Sequence, residues 1–306
     1  MAILAFFNSI FLKILGFLMS VVLMFSGVAS SGAVIEAKDP ANVKLQFSVV
    51  SDVHIDSPEL QRYGRFAAVL KNIGAAKAKQ DALVFVGDNT EDAQLLEYMA
   101  FYGILSQYNT AKNTLVATGN HDMNPNDHEP AAAIERHNFF LRSYTGAANG
   151  SRPYYSKEIN GCTFIILGDE KPQEGCSATI SQAQLDWLAE TMAAAPAGKP
   201  VFIFLHQILA HIVSEFGGEE TVGAQSEDIR KIIEKYPNVF VFNGHLHAPQ
   251  TIAKSGGVTY VNLPSLSKSD VPGVGFQVEA YESKVLLRAR NYLAGEWLTE
   301  YEIALA

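Results

Sequence analysis

The chain has 306 residues, 48% hydrophobic and 18% charged, with a formal net charge of −9. That is enough apolar residue for a folded core and too little charge for a disordered chain. The acidic balance excludes a nucleic-acid binder working through a broad basic surface, so no nucleic-acid polymer is expected as partner. A small phosphate-bearing substrate stays open, because metal ions can supply local positive charge.

Residues 1–33, "MAILAFFNSIFLKILGFLMSVVLMFSGVASSGA", carry one charge, Lys13. The run "ILGFLMSVVLMF" has the length of a signal-peptide apolar region, and "GVAS" or "SGAV" offers small residues for cleavage. Residues 2–28 are also nearly long and apolar enough to serve as an uncleaved membrane tether. Cleavage is the favoured reading. Both readings put residues 34–306 outside the cytoplasm, secreted or in the cell envelope.

From residue 44 onward, short apolar strands alternate with helical patterns. "VKLQFSVVSD" reads as a strand ending at Asp52, and "YGRFAAVLKNIGAAKAKQ" as a helix. "ALVFVGD" is a buried strand ending at Asp88, "EDAQLLEYMAFYGILSQY" a helix, and "NTLVATGNHD" a third strand. This alternation suggests parallel strands joined by crossovers. "PYYSKEINGCTFIILGD" has the form of a hairpin turning at "ING". "SQAQLDWLAETMAAA" is a helix with Ser181 as its N-cap. "PVFIFLHQ" and "NVFVFNGHLH" are strands on either side of the helical "SEDIRKIIEKYP", and the tail from "GVTYVNLPSLS" alternates like antiparallel strands. No repeat or linker divides residues 34–306, which are read as one domain. Two cysteines, Cys162 and Cys176, allow at most one disulfide, and Cys162 reads equally as a small buried residue opening a strand.

Polar residues gather where the apolar strands stop: Asp52 and His54, Asp88, Asn120 with His121 and Asp122, His206, and finally His245 and His247. Singly each is weak, since a strand-terminal Asp more often caps a turn and a lone His is often a core residue. Gly87 and Gly119 read equally as plain turn glycines. Together they are too many polar side chains for a packed core to bury without compensation. Imidazole, carboxylate and amide oxygen form a borderline-hard donor set suited to Mn, Fe, Zn or Ni. Seven such donors exceed one four-coordinate ion and suit two ions sharing a carboxylate. In an extended strand His245 and His247 would face one side, about 6–7 Å apart, with Leu246 turned toward the core.

The order Asp-x-His, Gly-Asp, Gly-Asn-His-Asp, His, Gly-His-x-His resembles that of the calcineurin-like metallophosphoesterase superfamily, from about residue 45 to 247. The resemblance implies a four-layer αββα sandwich, mixed β-sheets flanked by helices, with a dinuclear metal site at the strand ends. It implies that Asp52, His54 and His247 hold one ion, that Asn120, His206 and His245 hold the other, and that Asp88 bridges them. His121 falls on the superfamily's catalytic histidine, which steadies phosphoryl oxygens or protonates the leaving alkoxide. Glu91 falls where many members carry that histidine's carboxylate partner, with Asp92 beside it, and Asp122 is a supporting catalytic residue. The implied reaction is in-line attack of a metal-bridging hydroxide on a phosphodiester or phosphomonoester. Two divalent or mixed-valence transition-metal ions are the implied cofactors, and a small phosphoester is the expected partner.

Departures narrow the match. Purple acid phosphatases carry Gly-Asp-x-x-Tyr, whereas Glu91 stands at the tyrosine position and His54 where their Asp-x-Gly has glycine, so no tyrosinate-to-iron colour is expected. "GDNTEDA" fits the serine/threonine phosphatases poorly. The nearest style is the class III cyclic-nucleotide phosphodiesterase and generic exported phosphoesterase branch. The insertion from Met123 to Pro153 is expected to form part of the cleft wall, with Arg136, Arg142 and Arg152 as weak phosphate-contact candidates. His128 reads as a solvated loop residue and His137 as the surface of a helix, while His211, five residues after His206, reads more as an ordinary residue than as a neighbour of the site. The alternative function is a non-catalytic metal-binding scaffold on the same fold, whose signature would be loss of His121 or Asp88.

Overall fold

A computed structural model describes residues 14, 32–56, 59–123, 130–146, 152–171, 176–210, 212, 222–223 and 225–306. The segment read as an export signal or tether lies outside these residues except for Ile14, as do His128 and His211. Among the described residues, no helix is long and apolar enough to cross a membrane.

Among the described residues, twelve strands form two six-stranded sheets. The first has β1 (Leu45–Val50), β2 (Ala82–Val86) and β3 (Thr114–Ala117), then β10 (Val274–Ala280), β11 (Lys284–Asn291) and β12 (Glu296–Ala304), in the order β12-β11-β10-β1-β2-β3. The second has β4 (Tyr155–Ile159), β5 (Cys162–Ile166), β6 (Val201–Phe204), β7 (Val239–Asn243), β8 (Thr251–Ser255) and β9 (Val258–Asn262), in the order β4-β5-β6-β7-β9-β8. Strands β1, β2 and β3 run parallel, as do β5, β6, β7 and β9; the remaining pairings are antiparallel. Helices α1 (Leu60–Gly74), α2 (Leu95–Tyr108) and α3 (Pro130–Thr145) flank the first sheet; α4 (Gln182–Ala194) and α5 (Gln225–Ile233) flank the second.

The inner strands β2, β5, β6 and β7 are buried along their length, and alternation along the strands sorts apolar side chains into three layers. From β1, Leu45, Phe47 and Val49 enter the layer between the sheets, with Phe202 and Phe204 of β6 and Phe240 and Phe242 of β7. Val50, Leu83 and Phe85 face helices α1 to α3, while Val201, Ile203, Val239 and Val241 face α4 and α5. Three apolar layers require four layers of elements, an αββα sandwich. Phe47 is its centre pin, edge-on to Phe164 and Phe202 with ring centroids 5.0 Å away in each case. Such pairs add about 0.5–1.5 kcal/mol each beyond area burial.

Local signals match the chemistry of the ends. Asn160 and Gly161 have φ of 50° and 75°, the pair of left-handed residues a tight hairpin turn between β4 and β5 demands. The Ser181 hydroxyl accepts from the Gln184 amide at 3.2 Å, capping α4, and Gln94 with Glu97 forms a capping box on α2. His137 departs from its expected surface position. It is 1% exposed on α3, its ring 6.3 Å from that of Tyr98, with neither ring nitrogen hydrogen-bonded. The reason is packing of α3 on α2, where Phe140 stacks on Tyr98 and Tyr102. Cys162 is buried between the sheets and Cys176 is exposed, and no disulfide joins them.

Candidate metal centre

Five loops converge at the carboxyl ends of parallel strands, three from the first sheet and two from the second. Asp52 and His54 follow β1, Asp88 follows β2, and Asn120 and His121 follow β3; His206 follows β6, and His245 and His247 follow β7. Backbone bonds tie the loops together: Asp52 N to Gly87 O at 3.1 Å, His54 N to Asp88 O at 2.9 Å, and Gly244 N to His206 O at 3.0 Å. A side chain on Gly119 would collide with the Asp88 carboxylate, and one on Gly244 with the Ser51 hydroxyl and Asp52 carboxylate. These two glycines are needed for close approach.

The backbone is strained where the polar side chains emerge. Of the eight non-glycine residues with left-handed φ among those described, five are Asp52, His54, Asp88, His245 and His247. Each such conformation costs about 1–3 kcal/mol and persists only when the surroundings enforce it. This revises the extended reading of "NGHLH": β7 stops at Asn243, and φ of 74° at His245 and 51° at His247 turns the chain. The two imidazoles diverge into different neighbourhoods, while half-buried Leu246 lines an apolar pocket with Ile208, Leu209 and Tyr260.

Two groupings of donor atoms result, and they share Asp88. One comprises Asp52, His54, Asp88 and His247; the other comprises Asp88, His206 and His245. In the first, His247 Nε2 lies 3.0 Å from Asp52 Oδ1 and 3.0 Å from His54 Nε2. In the second, His206 Nε2 lies 3.0 Å from Asp88 Oδ2, while its Nδ1 donates to the Val86 carbonyl at 2.7 Å. That bond fixes the His206 tautomer and turns the Nε2 lone pair toward a carboxylate oxygen, an arrangement only a cation or a proton makes favourable. Asn120 Oδ1 and His245 Nε2 are buried without a hydrogen-bond partner. Buried polar atoms are rarely left so. The residues therefore fit a pair of ions: hard and borderline donors, unpartnered, around a shared carboxylate.

Electrostatics agree. Burial alone would raise both carboxyls; the His206, His247 and His54 rings instead hold Asp52 well below its ordinary value, and His206 and His54 hold Asp88 at about 2. Burial alone would lower both imidazoles; Asp52 and Glu91 with Asp88 raise His54 to about 9, and Asp88 and Asp52 do the same for His206. Without cations, the carboxylates draw protons onto these rings. Burial and the neighbouring His206 push His245 down to about 4, keeping its ring neutral.

A third grouping, His54, Glu91 and His121, is already neutralised. The Glu91 carboxylate takes Arg62 Nη1 at 2.6 Å and Lys268 Nζ at 2.6 Å, leaving no charge for another ion. Glu91 Oε2 lies 3.1 Å from His54 Nδ1, and the Glu91 carbonyl accepts from His121 Nδ1 at 2.7 Å. Its carboxylate is 3.6 Å from that same ring nitrogen. The His121 side chain is 30% exposed, with its amide donating to Asp88 Oδ1 at 2.9 Å. Asp122 is fully buried and accepts from Asn89 N and Nδ2, Thr90 N and Oγ1, and Gly119 N. It staples the loop after β2 to the loop after β3 and presents no free oxygen lone pair to a substrate. Asp92 stands apart from the cluster, its amide donating to Glu97 Oε2 at 2.9 Å.

The described residues of the insertion are mostly α3. Arg136 donates to the Ala93 carbonyl, Arg152 lies 5.6 Å from the Tyr154 ring, and Arg142 sits in the last turn of α3. Reading the sequence alone missed Arg62 and Lys268. Arg62 looks like any exposed-face helical cation, and Lys268 lies in "SLSKSD" without a motif.

The calcineurin-like phosphoesterase family profile matches residues 45–249, well over half of the chain. No curated protein is a significant sequence match. Among solved structures, a purple acid phosphatase from yellow lupin seeds superposes with a TM-score of 0.65 at 14% identity, covering 85% of this chain and 53% of that one. The chain thus spans about half the length of the lupin protein. A dimetal phosphatase from Danio rerio superposes with a TM-score of 0.64 at 14% identity, covering 87% of this chain and 100% of that one. GAP50, the anchor in the inner membrane complex of Plasmodium, superposes with a TM-score of 0.57 at 12% identity, covering 86% and 89%. At such identities the superpositions speak for the fold, while the sequence profile and the donor cluster meet on the same strand ends: this chain belongs to the calcineurin-like phosphoesterase family.

Proposed function

We propose that the chain is a dinuclear metal-dependent phosphoester hydrolase acting on a small phosphodiester or phosphomonoester. The observation that carries this reading is the pair of donor groupings sharing Asp88, with unpartnered buried donors aimed into them beside an accessible His121. Asp52, His54, Asp88 and His247 would hold one ion; Asp88, Asn120, His206 and His245 the other. Ions held there would lower the pKa of a bound water and offset the charge of the phosphoryl oxygens. His121 does the rest: with Nδ1 donating to the Glu91 carbonyl, Nε2 is the ring nitrogen left to hold a phosphoryl oxygen or deliver a proton to the leaving alkoxide. Glu91 orients that ring through its carbonyl, and Asp122 supports the loop. The substrate reaches the site from outside the cytoplasm, after export through residues 1–33 or from a tether through residues 2–28.

The test is a phosphoester screen with Mn²⁺, Fe²⁺, Zn²⁺ and Ni²⁺, comparing the wild type with His121→Ala. Expected are metal-dependent turnover in the wild type and a loss of at least 100-fold in kcat at unchanged metal content in the variant. Activity that survives both exhaustive chelation and Asp88→Ala would refute the mechanism. GAP50 is described as an anchor, so a non-catalytic scaffold is the competing reading. Two ions per chain with no turnover on any phosphoester would favour it.

A further inference from the structure

Resting on the phosphoesterase reading, we propose that Lys268, together with Arg62, is a positioning residue that locks the Glu91 carboxylate, so that it stays beside His54 and leaves His121 bonded to the Glu91 carbonyl. Lys268 lies beyond the family match, which ends at residue 249, on the segment joining β9 of one sheet to β10 of the other. That segment is stapled over the Asp52–His54 loop. Leu266 N donates to Ser51 O at 3.0 Å, Ser265 Oγ to Asp52 O at 3.2 Å, and Ser267 Oγ to Val53 O at 2.7 Å. The Lys268 amide in turn donates to Ser265 Oγ at 2.8 Å, so the side chain leaves a fixed backbone.

From there its ammonium holds Glu91 Oε1 at 2.6 Å, while Arg62, which also donates to the His54 carbonyl at 3.2 Å, holds Oε2 at 2.6 Å. Each oxygen of Glu91 has its own cation, and the carboxylate has no freedom to rotate. Two consequences follow. Oε2 stays beside His54 Nδ1, which keeps Nε2 of His54 turned to the donor cluster. Oε1 stays 3.6 Å from His121 Nδ1, so that nitrogen donates to the Glu91 carbonyl instead. Remove Lys268, and Oε1 becomes an unpaired carboxylate oxygen within reach of His121. A charge-assisted bond there is stronger than the bond to a carbonyl and would re-aim the ring. Positioning errors of this size near the reacting groups cost 10- to 100-fold.

The experiment compares wild type, Lys268→Met and Lys268→Arg, loaded with Zn²⁺, on bis(p-nitrophenyl) phosphate, alongside imidazole ¹H–¹⁵N NMR and metal counting. Expected for Lys268→Met are a 10- to 100-fold fall in kcat, KM within about twofold, and two ions per chain. The His121 Nδ1–H resonance should shift or be lost, and Lys268→Arg should restore both kcat and the resonance. A rise in KM at unchanged kcat would mean that Lys268 grips the substrate, which overturns the proposal. Unchanged kcat and resonance in Lys268→Met would overturn it as well. If the wild type hydrolyses no phosphoester, the phosphoesterase reading fails; the resonance then judges the clamp alone, its persistence in Lys268→Met defeating it.

Discussion

Replacing Asp122 by Asn separates a structural staple from a catalytic group. The carboxylate is fully buried and faces five donors, two of them on Asn89, two on Thr90 and one on Gly119. An amide has one acceptor oxygen, and its NH₂ must point at some of those donors. The least costly orientation places NH₂ where Oδ1 stands, because the Thr90 hydroxyl can rotate to accept from it. The Thr90 amide is then orphaned, at about 1–3 kcal/mol, and three charge-assisted bonds become neutral ones, at about 1 kcal/mol each. Against this, burial first and the Asp88 charge second push the Asp122 carboxyl above its ordinary value, so neutralisation recovers part of the loss. The net expectation is about 2–4 kcal/mol of destabilisation, a fall in Tm of roughly 3–7 °C for a chain of this size. Thermal and denaturant unfolding of metal-free protein measure it directly. An Asp122→Asn protein that keeps wild-type stability while losing turnover would refute the staple and make Asp122 part of the chemistry.

Acid should act through His137 as well as through the carboxylates. Burial pushes this imidazole down to about 4, so folding excludes its proton. Below the unfolded value near 6.5 the unfolded state binds the extra proton, and stability falls with falling pH until about 4. Between pH 7 and pH 4.5 the contribution is about 2–3 kcal/mol. Denaturant unfolding of His137→Leu at the two pH values should show a correspondingly shallower acid loss; an identical slope in both proteins would exclude the assignment. At the metal centre, His247→Ala and His245→Ala should each remove one ion per chain but from different groupings, measurable by metal counting and by the spectra of Co²⁺-substituted protein. The same spectral band lost in both variants would contradict the partition around Asp88.

Much of the centre was legible from the chain because the ligand-bearing loops follow parallel strands. A strand rich in apolar residues must stop where polar ones begin, and the crossover rule sends every such end to the same edge of its sheet. Asp52, Asp88, His206 and His245 could therefore be grouped without coordinates, and the hairpin at Asn160–Gly161 and the cap at Ser181 followed from local backbone chemistry. What the chain alone could not decide depends on contacts between distant segments. That two sheets face each other across Phe47, not one sheet in a line, was implied by the family resemblance and not by the strand pattern, because it depends on which apolar faces meet. The left-handed turn at His245 and His247 is held by the bonds of Asp52 and Gly244 to neighbouring loops, so the extended spacing was a poor guide to it. His137 is buried because α2 and α3 stack their aromatic rings, a pairing no helical periodicity announces. Lys268 reaches Glu91 across 177 residues of chain, and only the segment crossing between the sheets brings an otherwise ordinary lysine to that carboxylate.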